Sequence, residues 1–404
     1  METKNTCYSR QSSNCGGSRY FEIATGQYVR YDVKTKTYII YEKDDVIQSI
    51  KYPFKQIVKL IDKDENILKS KGDVITYSQT ITDICNNLNI NIQPSFANIK
   101  EFALFLIDQA FGGKQVKVTD PMLYEIIDEA SGGGALIAKP GTYDDEMICY
   151  DINNSYNKLF IDYNFPTNPR FTTVNEISEY DFMIYRLNIL DIDVDKSKFK
   201  TNRKWYTYYD CEIFRKYKID FELVKEDNNA IEFDDIKTDF SFLNIVNKMK
   251  VETDKTKQKL RYTILKLFLS SIWGVMCQYK IFDESEVVEL VKCGKMEEPA
   301  RKYIHSHCIK TNETKYIRPI HIYKFSIGIV KPFVLANARL RLLKQAKKCE
   351  KKGYEVVFSH TDSIITDAPE SLFDIGKEIG QWKVEKKNEK GIIINNIASK
   401  EWIQ

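Results

Sequence analysis

Two short apolar runs, each delivering an aspartate to the end of a strand, constrain this chain more than any other feature. Met147-Ile148-Cys149-Tyr150 leads into Asp151, and Glu355-Val356-Val357-Phe358 leads into His360-Thr361-Asp362, with Ile364-Ile365 behind it. Short apolar runs bounded by polar residues read as buried strands. The two are expected to lie side by side in one sheet, so that Asp151 and Asp362 come from adjacent strand ends.

The segments between them are helical. A long helix is expected from about Asp254 to Cys277, and another from about Lys331 to Lys351. Upstream, alternation such as Tyr28, Arg30, Asp32 and Tyr38, Ile40 predicts a β-hairpin or meander over Tyr20 to Ile50. Helices are expected at 53–65 and 97–112, where Phe102, Leu104, Phe105, Ala110 and Phe111 share an apolar face and Gly112-Gly113 ends the second. Gly132-Gly133-Gly134 marks a tight loop. Strands and helices are segregated rather than alternating, so the fold class is α+β.

With 404 residues and 43% hydrophobic content, the chain can build two or three domains with a sizeable core. It contains no run of 18 apolar residues, so no membrane partner is expected, and the polar stretch Met1 to Tyr20 does not read as a secretory signal. Nine cysteines are scattered without a CxxC pair, which suits a reducing cytoplasm. His305-Ser306-His307-Cys308, with Cys293 upstream, fits no common zinc spacing. The net charge is only +3, but Lys248 to Lys280, Lys331 to Lys352 and Lys383 to Lys400 are basic stretches. The plain reading of such stretches is solvated helix faces.

Either aspartate alone would be ordinary at a strand end or turn; their surroundings give the pair chemical meaning. Two divalent ions ~3.5–4 Å apart, as nucleotidyl transfer requires, can be held by two such carboxylates. Mg2+ is usually bound by one or two carboxylates with phosphates and water completing the shell. Five residues after Asp151 stands Tyr156, an aromatic that could lie under a nucleotide sugar and clash with a 2′-hydroxyl. On the long helix, Lys259, Tyr262, Lys266, Ser270 and Trp273 recur at three- and four-residue spacing and share one face, offering cations for a triphosphate and an aromatic for a base. Leu260, Ile264, Leu267 and Phe268 are expected on the buried face, and Gly274 ends the regular helix or allows close approach. At the end of the chain, Lys400-Glu401-Trp402 places a lysine that could meet a primer phosphate.

Taken in order, these segments resemble the motifs of family B DNA polymerases. Asp151 to Asn157 resembles motif A, Asp-x-x-Ser-Leu-Tyr-Pro. Lys266 to Gly274 resembles motif B, Lys-x-x-x-Asn-Ser-x-Tyr-Gly. His360-Thr361-Asp362-Ser363 resembles motif C, Asp-Thr-Asp-Ser, and Lys400-Glu401-Trp402 resembles the Lys-x-Tyr motif. Gly132-Gly133 is similar to the glycine pair before motif A in the protein-primed branch of phages and linear plasmids, and Gly380-Gln381-Trp382-Lys383 looks like the stretch after motif C. The resemblance covers about residues 130–404.

The resemblance implies a palm, an antiparallel sheet with packed helices, together with helical fingers and a separate N-terminal α/β-type region. Residues 1–18, rich in Ser, Asn and Gly, are expected to be disordered, and 19–130 to form an N-terminal domain of unassigned role, for which an eroded exonuclease is one reading; the resemblance makes 131–245 palm, 246–330 fingers with motif B and the following insertion, and 331–404 palm again. It implies a DNA-directed DNA polymerase core using Mg2+, with Mn2+ as an alternative. Asp151 and Asp362 would be catalytic metal ligands, with the Ile152 carbonyl as a third donor. Tyr156, Lys259, Tyr262, Lys266, Ser270, Trp273 and Gly274 would bind the nucleotide; His360, Thr361, Ser363, Lys400 and Trp402 would lie near primer or DNA. The expected partners are a DNA primer-template, dNTPs and a terminal protein primer, in the cytoplasm of a host if the genome is viral or plasmid. Residues 1–130 show no Asp-x-Glu strand with partner aspartates, so proofreading is not expected. The family's thumb would follow Gln404, so the expectation is either a poor grip on primer and template or a separate chain that supplies the thumb.

The departures matter as well. Ser270 replaces Asn and Trp273 replaces Tyr in motif B. His360 replaces the first Asp of motif C, removing negative charge beside the metals. The second expectation is therefore a catalytically degenerate homologue that binds nucleic acid or assembles a replisome.

Overall fold

Period-two alternation in the first fifty residues forms strands, and the apolar runs after it form the interior of a second body. The computed structural model describes residues 20–24, 27–32, 37–42, 45–50, 71–90, 99–112, 121–180, 182–277, 279–281, 321–323, 326–396 and 399–403. The expected disordered 1–18, the expected helix at 53–65 and the His305 to Cys308 cluster lie outside the described residues.

Along the chain the first strands are β1 (Tyr20–Ala24), β2 (Gln27–Asp32), β3 (Thr37–Glu42) and β4 (Asp45–Ile50). Helices α1 (Lys71–Asn87), α2 (Ile99–Ala110) and α3 (Pro121–Ser131) come next. Then follow β5 (Leu136–Ala138), β6 (Gly141–Tyr143), β7 (Met147–Ile152), α4 (Ser155–Asp162), β8 (Phe165–Thr172) and β9 (Met183–Ile189). The next elements are α5 (Lys196–Phe199), β10 (Trp205–Thr207), α6 (Tyr208–Tyr217), β11 (Phe221–Leu223), β12 (Ala230–Ile236), α7 (Phe242–Glu252) and α8 (Lys259–Met276). The last are β13 (Tyr279–Ile281), β14 (His321–Tyr323), α9 (Lys331–Lys351), β15 (Val356–His360), β16 (Ser363–Thr366), β17 (Trp382–Asn388), β18 (Ile392–Asn396) and β19 (Ser399–Trp402).

The chain divides into two units, one of Met1–Ile107 with Ser241–Val275 and the other of Asp108–Phe240 with Met276–Gln404. In the first, β1 to β4 form an antiparallel meander in sequence order, with Tyr28 opposite Tyr41. Helix α8 begins at Lys259, five residues later than the sequence suggested. The Asp254 carboxylate accepts the backbone N–H groups of Thr256 and Lys257 at 2.9 and 3.2 Å, which makes a capped turn before the regular helix. Its buried side is Ile264, Leu265, Phe268, Leu269 and Ile272, whereas Leu260 and Leu267 are only half-buried. The buried stripe is thus rotated from the expected one. Phe268 fixes that rotation by packing against Phe102 and Phe242, with ring centroids 5.4 and 6.3 Å away.

In the second unit a five-stranded antiparallel sheet runs in the order β17-β7-β16-β15-β5. The two aspartate-bearing runs are not direct neighbours, contrary to the expectation. The residues Thr361-Asp362 form a hairpin turn, so the returning strand β16 comes between β15 and β7. Alternation along β7 sends Met147 and Cys149 to one face, against Val357, Phe358, Ile365, Ile392 and Ile394. The small sheet β19-β18-β6 covers that face, and Trp402 packs there. Tyr150 takes the other face, where its ring stacks on Phe373 at 3.8 Å and its hydroxyl donates to the Ala368 carbonyl at 2.8 Å. Each such apolar side chain contributes ~1.5–3 kcal/mol on burial, so the strand that carries Asp151 is held from both sides.

Helix α9 matches the expected bounds, but it is not a solvated basic face throughout. Phe333, Val334, Leu335, Ala336, Ala338, Leu340, Leu342, Leu343 and Ala346 are all buried, and Arg339 is 0% exposed. A helix buried on so many positions belongs to the interior. A further antiparallel sheet, β10-β9-β12-β8 with β11 on β9, completes the α+β unit.

Candidate active site

Asp151 is the penultimate residue of β7, and the chain must turn sharply after Ile152 to start α4. Asn154 makes the turn with φ +47°, a conformation that asparagine tolerates. The backbone ahead of β17 grips this turn. Asn153 N–H donates to Gln381 O at 2.9 Å, Gly380 N–H donates to Asn153 O at 2.7 Å, and the Asn153 side chain donates to Gly376 O at 2.9 Å. Gly380 has φ +87°, and a Cβ there would lie 2.6 Å from the Lys158 side chain. This is the physical content of the glycine in Gly380-Gln381-Trp382-Lys383.

Asp362 arrives from the other side, on the two-residue turn between β15 and β16. His360 pairs with Ser363, leaving Thr361 and Asp362 at the tip. Thr361 has φ +59°. A β-branched residue there is strained, at a cost of order 1–3 kcal/mol. The turn is buttressed by Gly134, where a Cβ would stand 3.1 Å from Thr361 Cα. A buried cluster holds that glycine loop in turn. Arg339 donates to Ser131 O at 2.9 Å and to Gly133 O, and pairs with Asp210 at 2.6 Å. Arg203 donates to Ala130 O and pairs with the same Asp210 oxygen at 3.2 Å. Asp210 is fully buried, and its carboxyl is held below the usual range. Burial opposes this shift, and the two arginines overcome it.

The two aspartates meet where Ser363 of β16 pairs with Asp151 of β7, and Ile152 N–H donates to Asp362 O at 3.0 Å. Burial pushes the Asp362 carboxyl up to about 6, and the Asp151 charge adds to the shift while Lys383 opposes it. Lys383 lies opposite Asp151 on β17, and its ammonium donates to Asp151 Oδ1. Lys383 is a member of this site that the candidate residues from the motifs do not include. The signal was its place directly after the Gly380-Gln381-Trp382 stretch. Tyr156, in the first turn of α4, is desolvated and feels the Asp362 charge, so its phenol is pushed up to about 12 and stays neutral.

The hairpin thus brings Asp151, Ile152, Tyr156, Thr361, Asp362 and Ser363 into one corner of the second unit. His360 is exposed, with Nδ1 3.2 Å from the Thr361 hydroxyl. Lys400 is exposed and sits 4.3 Å over the Phe358 ring, while Trp402 lies half-buried under the Lys386 ammonium at 4.8 Å. The remaining candidates belong to α8 of the first unit. There Lys259, Lys266, Ser270 and Gly274 are exposed, and Tyr262 and Trp273 are half-buried. Among the described residues no group of three His, Cys, Asp or Glu side chains forms a metal cluster. No helix there is long and apolar enough to cross a membrane.

No protein-family profile matches the sequence, and no curated protein matches it. Solved structures do. Phi29 DNA polymerase complexed with primer-template DNA and incoming nucleotide substrates matches with a TM-score of 0.52 and 14% identity, over 91% of this chain and 69% of that one. Its complex with single-stranded DNA gives 0.51 and 14%, and its post-translocation complex with primer-template DNA gives 0.50 and 14%, each covering 90% of this chain and 68% of the other. At this identity the likeness is one of fold: the chain has the α+β fold of Phi29 DNA polymerase.

Proposed function

We propose that the chain is the core of a DNA-directed DNA polymerase, transferring nucleotides from dNTPs to a primer 3′-hydroxyl or a protein hydroxyl. The observation that carries this reading is the corner where Asp151 at a strand end meets Asp362 at a hairpin tip, with the Asp362 carboxyl pushed up to about 6. A carboxyl raised by burial and by a second carboxylate, a shift that Lys383 opposes only in part, would be stabilised in its charged form by a nearby cation. The donors are all oxygen, namely two carboxylates and the Ile152 carbonyl. That suits Mg2+, or Mn2+, with phosphates and water completing the shell. When bound, the ions would neutralise phosphoryl charge and acidify the attacking hydroxyl. The fold likeness supports the reading, because the Phi29 enzyme was solved with primer-template DNA and nucleotides.

In this reading residues 131–245 and 331–404 form the palm, and α8 belongs to the fingers. The phenol of Tyr156, neutral up to about 12, offers a flat wall that excludes a 2′-hydroxyl. Lys259 and Lys266 meet the triphosphate, and Tyr262, Ser270, Trp273 and Gly274 line the base-pair pocket. His360, Thr361, Ser363, Lys400 and Trp402 face the primer, with Lys400 giving phosphate affinity without sequence information. Incorporation of labelled dATP by the full chain, with little use of ATP, is expected. Loss of that sugar discrimination in Tyr156→Val would support the assignment, and unchanged discrimination would remove Tyr156 from it.

Two observations favour a second reading. His360 stands where an acid is expected, and Lys383 already neutralises Asp151. A degenerate homologue that binds nucleic acid without extending it would tolerate both.

A further inference from the structure

We propose that Lys383, through its ion pair with Asp151, competes with a divalent ion for that carboxylate and thereby sets how tightly this site binds metal. The inference rests on reading Asp151 and Asp362 as metal ligands.

The placement of Lys383 follows from its strand. Trp382 is 7% exposed and packs edge-on against Phe373 at 5.2 Å. Its N–H donates to Asp374 O at 2.8 Å, its carbonyl accepts from Gly376 N–H at 2.9 Å, and it pairs with Ile152. The next residue is therefore fixed opposite Asp151. The ammonium of Lys383 donates to Asp151 Oδ1, with the lysine side chain 44% exposed and the aspartate 17% exposed. A lysine this exposed, on a flexible four-carbon stem, can leave the carboxylate for solvent without disturbing the sheet.

An ammonium and a divalent ion held by the same carboxylate repel each other, even on different lone pairs. The other charges near this corner are Asp362, Glu385 and Lys400. With His360 in place of an acid, Lys383 offsets a larger share of the negative charge that Asp151 and Asp362 present. The site is thus set toward weak binding of a free ion. A nucleotide, whose phosphates add negative charge, would favour release of Lys383.

The test measures metal affinity without DNA, nucleotide or turnover. Free Mn2+ is followed by electron paramagnetic resonance while the full chain is titrated, for wild type, Lys383→Met, Lys383→Arg and Asp151→Asn. Lys383→Met is expected to bind Mn2+ about tenfold more tightly, from removal of one charge beside a half-exposed ion. Lys383→Arg should stay near wild type, and Asp151→Asn should lose the site. Circular dichroism checks the fold, and Lys383→Gln serves if the Met variant unfolds. Equal or weaker binding without Lys383 overturns the proposal while leaving the metal reading intact. No Mn2+ binding by any variant overturns the metal reading, and this inference with it.

Discussion

Replacing Asp362 by Asn should make the metal-free protein more stable at neutral pH while removing its activity. In the folded chain the Asp362 carboxyl is raised from 3.8 to about 6 by burial first and the Asp151 charge second. Below about pH 4 the group is protonated in both the folded and unfolded chains, so wild type and Asp362→Asn should have equal stability. As pH rises, the unfolded chain ionises first while the folded chain keeps its proton, and wild type loses stability relative to the variant. The loss is complete above about pH 6. The shift corresponds to about 3 kcal/mol at most, and solvent access reduces the expected gain to about 1–3 kcal/mol. Urea unfolding in EDTA at pH 4.5, 6 and 8 reads it directly, as a midpoint difference that grows with pH. Added Mg2+ should then stabilise wild type, by ~2.7 kcal/mol at a hundred times the dissociation constant, and leave Asp362→Asn unmoved. A midpoint difference that stays constant from pH 4.5 to 8 would refute the argument, because Asp362 would then share no desolvated corner with Asp151.

Other outcomes follow from the same geometry. Arg339→Met should destabilise by about 3–5 kcal/mol, because it leaves Asp210 buried with one fewer counter-charge and frees the Gly132 to Gly134 loop; urea unfolding at pH 7 would show it, and a change under 1 kcal/mol would contradict the clamp. Thr361→Gly should be neutral or stabilising by up to about 1 kcal/mol, since strain relief outweighs the backbone entropy of glycine; a clear loss of stability would mean the φ of +59° carries no strain. Gly134→Ala should lower both stability and primer extension, since its Cβ would meet Thr361 Cα at 3.1 Å; unchanged kinetics would show that the hairpin tip does not depend on that contact.

Much of the site could be read from the sequence, for a physical reason. The run Met147 to Tyr150 is buried at every position, so its apolar pattern carries the strand, and the aspartate that follows stands out. Helix α9 was legible in its bounds because its apolar spacing is unbroken. Its burial was less so: Arg339 looks like one more surface cation, and only the meeting of Asp210, Ser131 and Gly133 from distant segments makes it interior. Strand β17 was not legible as the partner of β7. Its sequence, Trp382 to Asn388, is rich in lysine and glutamate, and a bulge between Val384 and Lys386 interrupts its register. The Lys383 to Asp151 pair therefore went unseen. Helix α1 was missed because its polar residues, among them Asp73, Ser78 and Asp83, obscure the apolar spacing. The fold likeness, in contrast, lies in the arrangement of elements, which 14% identity preserves and profile comparison does not detect.

Polymerase activity is read by primer extension on a short primer-template with dNTPs, in Mg2+ and then in Mn2+, comparing wild type with the Asp151→Asn/Asp362→Asn double variant and measuring DNA binding of both. Extension by wild type alone is expected, with DNA binding retained by both. Failure of wild type to extend under either metal, with DNA binding intact, would contradict it and leave the chain as a polymerase fold used to hold nucleic acid.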